Sequence, residues 1–198
     1  EATSQLVEMD LPSAIASVLA GHLGDRIHAA FSSNFAPLSA VFVRTEPGEV
    51  NASMKWHCDA GPSAHLKVLV YLNESGGATH FIERRHTELF KRIGYVFGPT
   101  EDRVDDDGLR RIAEAGGFVY RQERLYPFRG QAIVFEPGAV LHRGEAPTTG
   151  ARLMFQLLLV PWIKPWYEFV AEYSDWIAGN IGAGFPKMDE TGEGRNAA

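Results

Sequence analysis

Residues 55–61 read KWHCDAG, and everything turns on the three central ones, His57, Cys58 and Asp59. Along an extended chain, successive side chains point to opposite faces. His57 and Asp59 therefore share a face, and Cys58 takes the other. That parity counts against a Cys58–His57 nucleophile and base, because the two side chains diverge. A neutral imidazole and an ionised carboxylate on one face are instead two metal ligands in search of a third. H-x-D alone is a common tripeptide, so the reading depends on what else the chain supplies.

The chain has seven histidines. His22 and His28 fall in a stretch of helical spacing, on its polar side. His65 and His86 lie beside turns and charged residues. His80, in ATHFIE, has apolar neighbours and reads as a hydrogen-bonded core residue. His142 ends a strand in VLHRGEAP, directly after the apolar QAIVFEPGAV. Two histidines and one carboxylate make the facial triad suited to Fe(II), with positions left open for other ligands. Arg152 follows across the turn APTTG, in an otherwise apolar strand. A buried arginine is costly without an anion, and its planar fork fits a carboxylate two-pronged. One reading of Arg152 is a structural ion pair with a protein carboxylate. The other is a clamp on the far carboxylate of a dicarboxylate cosubstrate.

Around these residues the spacing predicts one helix over 13–31, capped by Ser13, with Ile15, Val18, Leu19, Leu23 and Ile27 near one face. Strands are predicted at 38–46, 66–72, 78–83, 131–136, 139–143 and 151–160. The last has apolar residues on both faces, so it is expected to be covered on both sides. A helix is predicted over 165–178, with Trp166, Phe169, Val170, Tyr173, Trp176 and Ile177 along its buried stripe. The segment 84–129 is different: it is charged, poor in strand signals, and has a short helix near 107–115. It reads as an insertion or lid. Its basic cluster, Arg84, Arg85, Lys91 and Arg92, reads as a solvated loop or helix face. Helices at both ends with short strands between predict a mainly β fold, a sandwich or barrel braced by flanking helices.

With 198 residues, 45% of them hydrophobic, the chain suits one domain over 1–198 that buries a real core. The last residues, 190–198, read as a disordered tail. A net charge of −6 argues against a nucleic-acid partner. No apolar run is long enough to cross a bilayer, so no membrane partner is expected. No signal peptide is read at the start, although the chain opens on Glu1 and not Met, as after removal of a leader. A single cysteine cannot make an internal disulfide, and a cytoplasmic setting is expected. The oligomeric state is not legible.

Four stretches, in order, resemble the 2-oxoglutarate- and Fe(II)-dependent oxygenases, and among them the prolyl 4-hydroxylase-like group. They are VRTEPG followed by WHCD, VYLNESGGATHF, GQAIVFEPG and HRGEAPTTGAR. The last resembles that group's H-x-G-x-x-P-x-x-x-G-K segment, with arginine at the usual lysine position. GGATHFIERRH also resembles, more loosely, the phytanoyl-CoA hydroxylase-like group. The stretches span 41–160, and 84–129 matches nothing in the family.

The resemblance implies a double-stranded β-helix, a cupin-like jelly roll with the metal in one mouth. It assigns Fe(II) to His57, Asp59 and His142, the far carboxylate of 2-oxoglutarate to Arg152, and supporting places in that pocket to Tyr71 and Thr79. With O2, such a site couples decarboxylation of 2-oxoglutarate to hydroxylation of an unactivated C–H. The substrate would be a small metabolite, an amino acid or a peptidyl prolyl residue, with Arg84, Arg85 or Arg121 available to grip an anionic group. Asp59 separates the chain from related halogenases, which lack that carboxylate. One departure stands out: the family often has a tyrosine near the Pro-Gly step, where this chain has Thr45-Glu46. Outside the family, the same three ligands fit a non-redox cupin-like isomerase or ligand sensor, and Cys58 leaves a cysteine hydrolase to be tested.

Overall fold

The structure, a computed structural model, describes residues 10–95 and 102–175. The chain begins with two short helices, α1 (Leu11–Leu19) and α2 (His22–Phe31), where the spacing predicted one. Gly21 makes the break: its φ of 81° is open to glycine and strained for other residues. The cap also differs. Asp10, not Ser13, is the N-cap, and its carboxylate accepts the Ser13 backbone N–H at 3.3 Å. Leu11, Ile15 and Leu19 then fall on one buried stripe.

Seven strands follow, all paired antiparallel. One sheet has the order β1-β7-β2-β5, made of β1 (Phe35–Thr45), β7 (Arg152–Pro161), β2 (Leu66–Tyr71) and β5 (Ala132–Phe135). The other has the order β4-β3-β6, made of β4 (Gln122–Leu125), β3 (Thr79–Ile82) and β6 (His142–Gly144). β1 starts three residues earlier than predicted and passes Pro37 with a shift of register between Pro37 and Ser39, the usual way a strand accommodates a residue without an N–H. The strand predicted over 139–143 is shorter and later, because Glu136–Val140 is a turn closed by Ala139 and Val140 N–H to the Glu136 carbonyl.

The sheets enclose a shared interior. Phe81 of β3 meets Phe135 of β5 edge to face at 5.0 Å, and the Tyr71 hydroxyl of β2 bonds the Thr79 hydroxyl of β3. The outer side of the larger sheet is apolar. Phe155, Leu157 and Leu159 of β7 and Val68 of β2 are packed with Leu11, Ile15 and Leu19 of α1, Ile27 of α2 and Phe169 of α5. Helix α5 is Trp166–Glu172, ending at Tyr173; the last part of the predicted helix, with Trp176 and Ile177, and the predicted tail lie outside the described residues.

The segment 84–129 holds α3 (Arg84–Arg92), α4 (Asp106–Ala115) and β4. Sequence patterning finds α4 but neither α3 nor β4. Both helices feed a second core of Trp56, Cys58, Ile82, Phe90, Leu109 and Leu141. Thr87 in α3 ties it together, accepting the Leu141 N–H at 3.1 Å and donating to the Ile82 carbonyl at 3.3 Å. The Trp56 indole N–H reaches Asp106 at the start of α4 at 2.7 Å. Among the described residues no helix is long and apolar enough to cross a membrane.

Candidate metal centre

His57 and Asp59 are not in a regular strand, yet the predicted alternation holds. Isolated bridges, Trp56 to Val104 and His57 to His142, keep the chain extended, and the Asp59 N–H donates to the Pro137 carbonyl at 2.9 Å. Cys58 consequently turns into the second core and is 7% exposed, while His57 and Asp59 turn into the interior. Burial pushes the Cys58 thiol up to about 12, so it is held as the unreactive thiol. The position of Cys58, in the second core and turned away from His57, argues against a cysteine hydrolase.

The His57–His142 bridge brings the third ligand alongside the first, with ring centroids 4.3 Å apart. One ligand atom from each of His57, Asp59 and His142 lies within 4.8 Å of the others. Each imidazole is oriented by its own backbone: His57 Nδ1 sits 2.7 Å from the Lys55 carbonyl and His142 Nδ1 2.9 Å from the Val140 carbonyl. A carbonyl only accepts, so Nδ1 carries the proton and each Nε2 presents its lone pair inward. Asp59 Oδ1 is 3.4 Å from His57 Nε2 and 3.7 Å from His142 Nε2.

The electrostatics favour a cation at this point. Burial, and then the nearby His57, push His142 down to about 3, so it is neutral at ordinary pH and ready to ligate. Burial pushes Asp59 up, but the Lys67 ammonium bonded to Oδ2 outweighs it and holds the carboxyl well below its usual range. His142 Nε2 is buried with no hydrogen-bond partner. Two imidazoles and one carboxylate, with ligand atoms this close together, suit a divalent transition ion that keeps open positions.

Arg152 lies at the start of β7, facing the same interior, and is 3% exposed. Its Nη1 donates to the Glu145 backbone carbonyl at 2.9 Å, and its Nε has no partner. Among the described residues it makes no salt bridge, so a structural ion pair does not explain it. Gly144 leaves it room: a Cβ there would lie 3.3 Å from Nη2. Desolvation lowers the guanidinium pKa, the mark of a charge buried ahead of its counter-ion. Tyr71 and Thr79 bond each other beside it, and the Tyr71 phenol interacts electrostatically with Arg152. Thr45, at the place of the absent tyrosine, is directly opposite Arg152 across β1 and β7.

The remaining candidates scatter. Arg84 lines a cavity of about 710 Å³ that opens beside Asp59, and it is ion-paired to Glu136 at 3.1 Å. Arg85 pairs with Glu83 on the surface, and Arg121 is exposed beside Glu123. His80 is a core residue as read, its Nδ1 bonded to Gln122 at 2.5 Å and its Nε2 3.4 Å from Glu145. Lys67 was hidden by its apolar neighbours in LKVLVY. Its Nζ is 2.5 Å from Asp59 Oδ2. The signal was strand parity, which puts Lys67 on the Tyr71 face.

No protein-family model and no curated protein matches the chain. Solved structures do. SnoN, the non-heme alpha ketoglutarate dependent epimerase of nogalamycin biosynthesis, superposes with a TM-score of 0.51 at 15% identity, over 75% of this chain and 58% of that one. EctD from S. alaskensis, solved with 2-oxoglutarate and 5-hydroxyectoine, gives 0.51 at 15% identity, over 75% of this chain and 51% of that one. The chain therefore shares their fold, and it spans between half and three-fifths of their length.

Proposed function

We propose that this chain is an Fe(II)- and 2-oxoglutarate-dependent dioxygenase built on a double-stranded β-helix, hydroxylating an unactivated C–H. The observation that carries the reading is Arg152: buried, without a protein carboxylate, in the same interior as three convergent metal ligands. A non-redox cupin-like isomerase or sensor needs the three ligands but gives no reason for that guanidinium. The shared fold with SnoN and EctD supports the same choice. Within the superfamily, the ordered stretches favour the prolyl 4-hydroxylase-like group over the phytanoyl-CoA hydroxylase-like one. The substrate is a small metabolite, an amino acid or a peptidyl prolyl residue.

His57, Asp59 and His142 would hold Fe(II), with 2-oxoglutarate between the metal and Arg152. Together with O2 this assembly supplies the oxidising equivalent for C–H hydroxylation. The protein's own work is positional. The Lys55 and Val140 carbonyls hold each imidazole with Nε2 inward. Arg152 fixes the cosubstrate's far carboxylate, with Tyr71 and Thr79 forming the wall beside it. Leu69, Ile133, Met154 and Phe135 keep the interior apolar, which strengthens each charge contact and excludes water.

Anaerobic addition of 2-oxoglutarate to the Fe(II) protein should give a visible metal-to-ligand charge-transfer band, and aerobic turnover should release succinate. The band should be lost in Arg152→Ala at the same 2-oxoglutarate concentration. A wild-type protein that binds Fe(II) but gives neither band nor succinate is not this enzyme.

A further inference from the structure

The interior contains a cation that the proposed chemistry does not use. Lys67 is the second residue of an apolar strand, flanked by Leu66 and Val68. Its cross-strand neighbours are Phe135 and Leu158, so it has no polar company from the sheet. Its side chain is 20% exposed, and among the described residues its one hydrogen bond is to Asp59 Oδ2. An ammonium has three donors and no acceptor. Two of them are left over, in a largely buried position next to the metal ligands.

Formal charge makes the excess plain. Asp59 and Arg152 cancel. A divalent cation and a doubly negative oxo acid cancel. Within this set Lys67 is the cation left over, because its one carboxylate, Asp59, is shared with the metal site. A buried charge of that kind is costly unless an opposite charge meets it. Asp59 cannot serve both cations fully, because Oδ1 faces the two histidine Nε2 atoms and only Oδ2 faces Lys67. The missing partner is an anion, and Lys67 keeps some access to solvent: its side chain is 20% exposed, and a cavity of about 710 Å³ opens beside its partner Asp59. Arg84 and Lys91 lie farther along the same wall.

We infer that Lys67 is a specificity-determining residue that binds a free carboxylate of the primary substrate beside the metal. This rests on the dioxygenase reading and narrows it. The substrate class becomes small carboxylic acids, amino acids among them, and an internal prolyl residue of a peptide, which has no free carboxylate, is excluded. Lys67 thereby has a role distinct from that of Arg152, which takes the cosubstrate.

The test uses the full chain loaded with Mn(II) and saturated with 2-oxoglutarate, with acetate and acetamide as probes of equal size. Proton line broadening by the bound Mn(II) reports which probe comes close to the metal, without turnover. Acetate should be broadened at concentrations about 10- to 100-fold lower than acetamide, the worth of one hydrogen bond to a charged group. Lys67→Met should erase that preference while still binding 2-oxoglutarate, and Lys67→Arg should retain most of it. Equal broadening of both probes by the wild type overturns the inference, with no variant needed. So does a preference that survives Lys67→Met, or a Lys67→Met protein whose defect is in 2-oxoglutarate binding alone. Binding of 2-oxoglutarate to the Mn(II) protein is measured first. Its failure would sink the dioxygenase reading, whereas its success with no acetate preference would sink only the role of Lys67.

Discussion

On the outer side of β7, Phe155, Leu157 and Leu159 pack into an apolar cluster with side chains from the sheet and from α1, α2 and α5. On the inner side, Arg152 and Met154 are nearly as buried, but the neighbourhood holds a guanidinium with a bare Nε, a histidine with a bare Nε2, and a lysine with donors to spare. The outer side is finished by the protein itself. The inner side is finished only by something from outside, and that difference separates a core from a site more sharply than burial does.

The largest expected effects come from cutting the same strand on its two sides. Phe155→Ala should cost about 3–5 kcal/mol of stability in urea unfolding, because it leaves a cavity in a close-packed core. Arg152→Leu should cost the fold little, or stabilise it, since it removes a buried charge with no carboxylate. The same change should weaken 2-oxoglutarate binding by roughly 100-fold or more, as expected when one partner of a buried charge pair is removed. If Arg152→Leu unfolds the protein as Phe155→Ala does, the inner side is an ordinary core and the comparison fails.

Metal binding completes the inner side directly. Mn(II) at about 100 times its dissociation constant should raise the unfolding free energy by about 2.7 kcal/mol. Asp59→Ala should abolish that gain, whereas a change on the outer side such as Leu157→Val should keep it. A gain that persists in Asp59→Ala would locate the metal elsewhere.

Acid should act on the inner side first. His142 is depressed from an ordinary 6.5 to about 3 by burial and by the nearby His57. The unfolded chain therefore binds a proton there before the folded one does. Stability of the metal-free protein should be fully present above about 6.5 and fall as the pH drops toward 3. A urea midpoint measured across that range should show the loss, and His142→Gln should flatten it. A flat wild-type profile would mean that His142 is not held neutral by the interior.

How much of this was legible follows from how each residue makes its contacts. His57, Asp59, His142 and Arg152 could be read because each breaks an apolar pattern at a place where strand parity gives it a direction. Lys67 obeys the same rule, but four apolar neighbours in LKVLVY made the strand look merely buried. The break between α1 and α2 was signalled by Gly21, which helical spacing across 13–31 masks. Helix α3 has five charged residues in nine, with a buried face of only Thr87 and Phe90, too narrow a stripe to register as a period. All four residues of β4 are exposed, and it is a strand only because β3 pairs with it. Such partner-dependent elements carry little pattern of their own.

The smallest effect should come from the residue that first draws the eye. Cys58 is flanked by two ligands, yet its side chain belongs with Phe90 and Leu109, on the finished side of the comparison. Burial holds the thiol protonated well above the ordinary range, so little thiolate is present at pH 8. Native protein should therefore resist iodoacetamide at that pH and react only after unfolding. Cys58→Ala should cost about 1 kcal/mol, the usual price of a small core truncation, and leave Mn(II) affinity, the 2-oxoglutarate band and the acetate preference unchanged. Rapid labelling of the folded protein would put the thiol in the interior with His57 and Asp59. The alternation that separates the two sides would then fail at the point where it matters most.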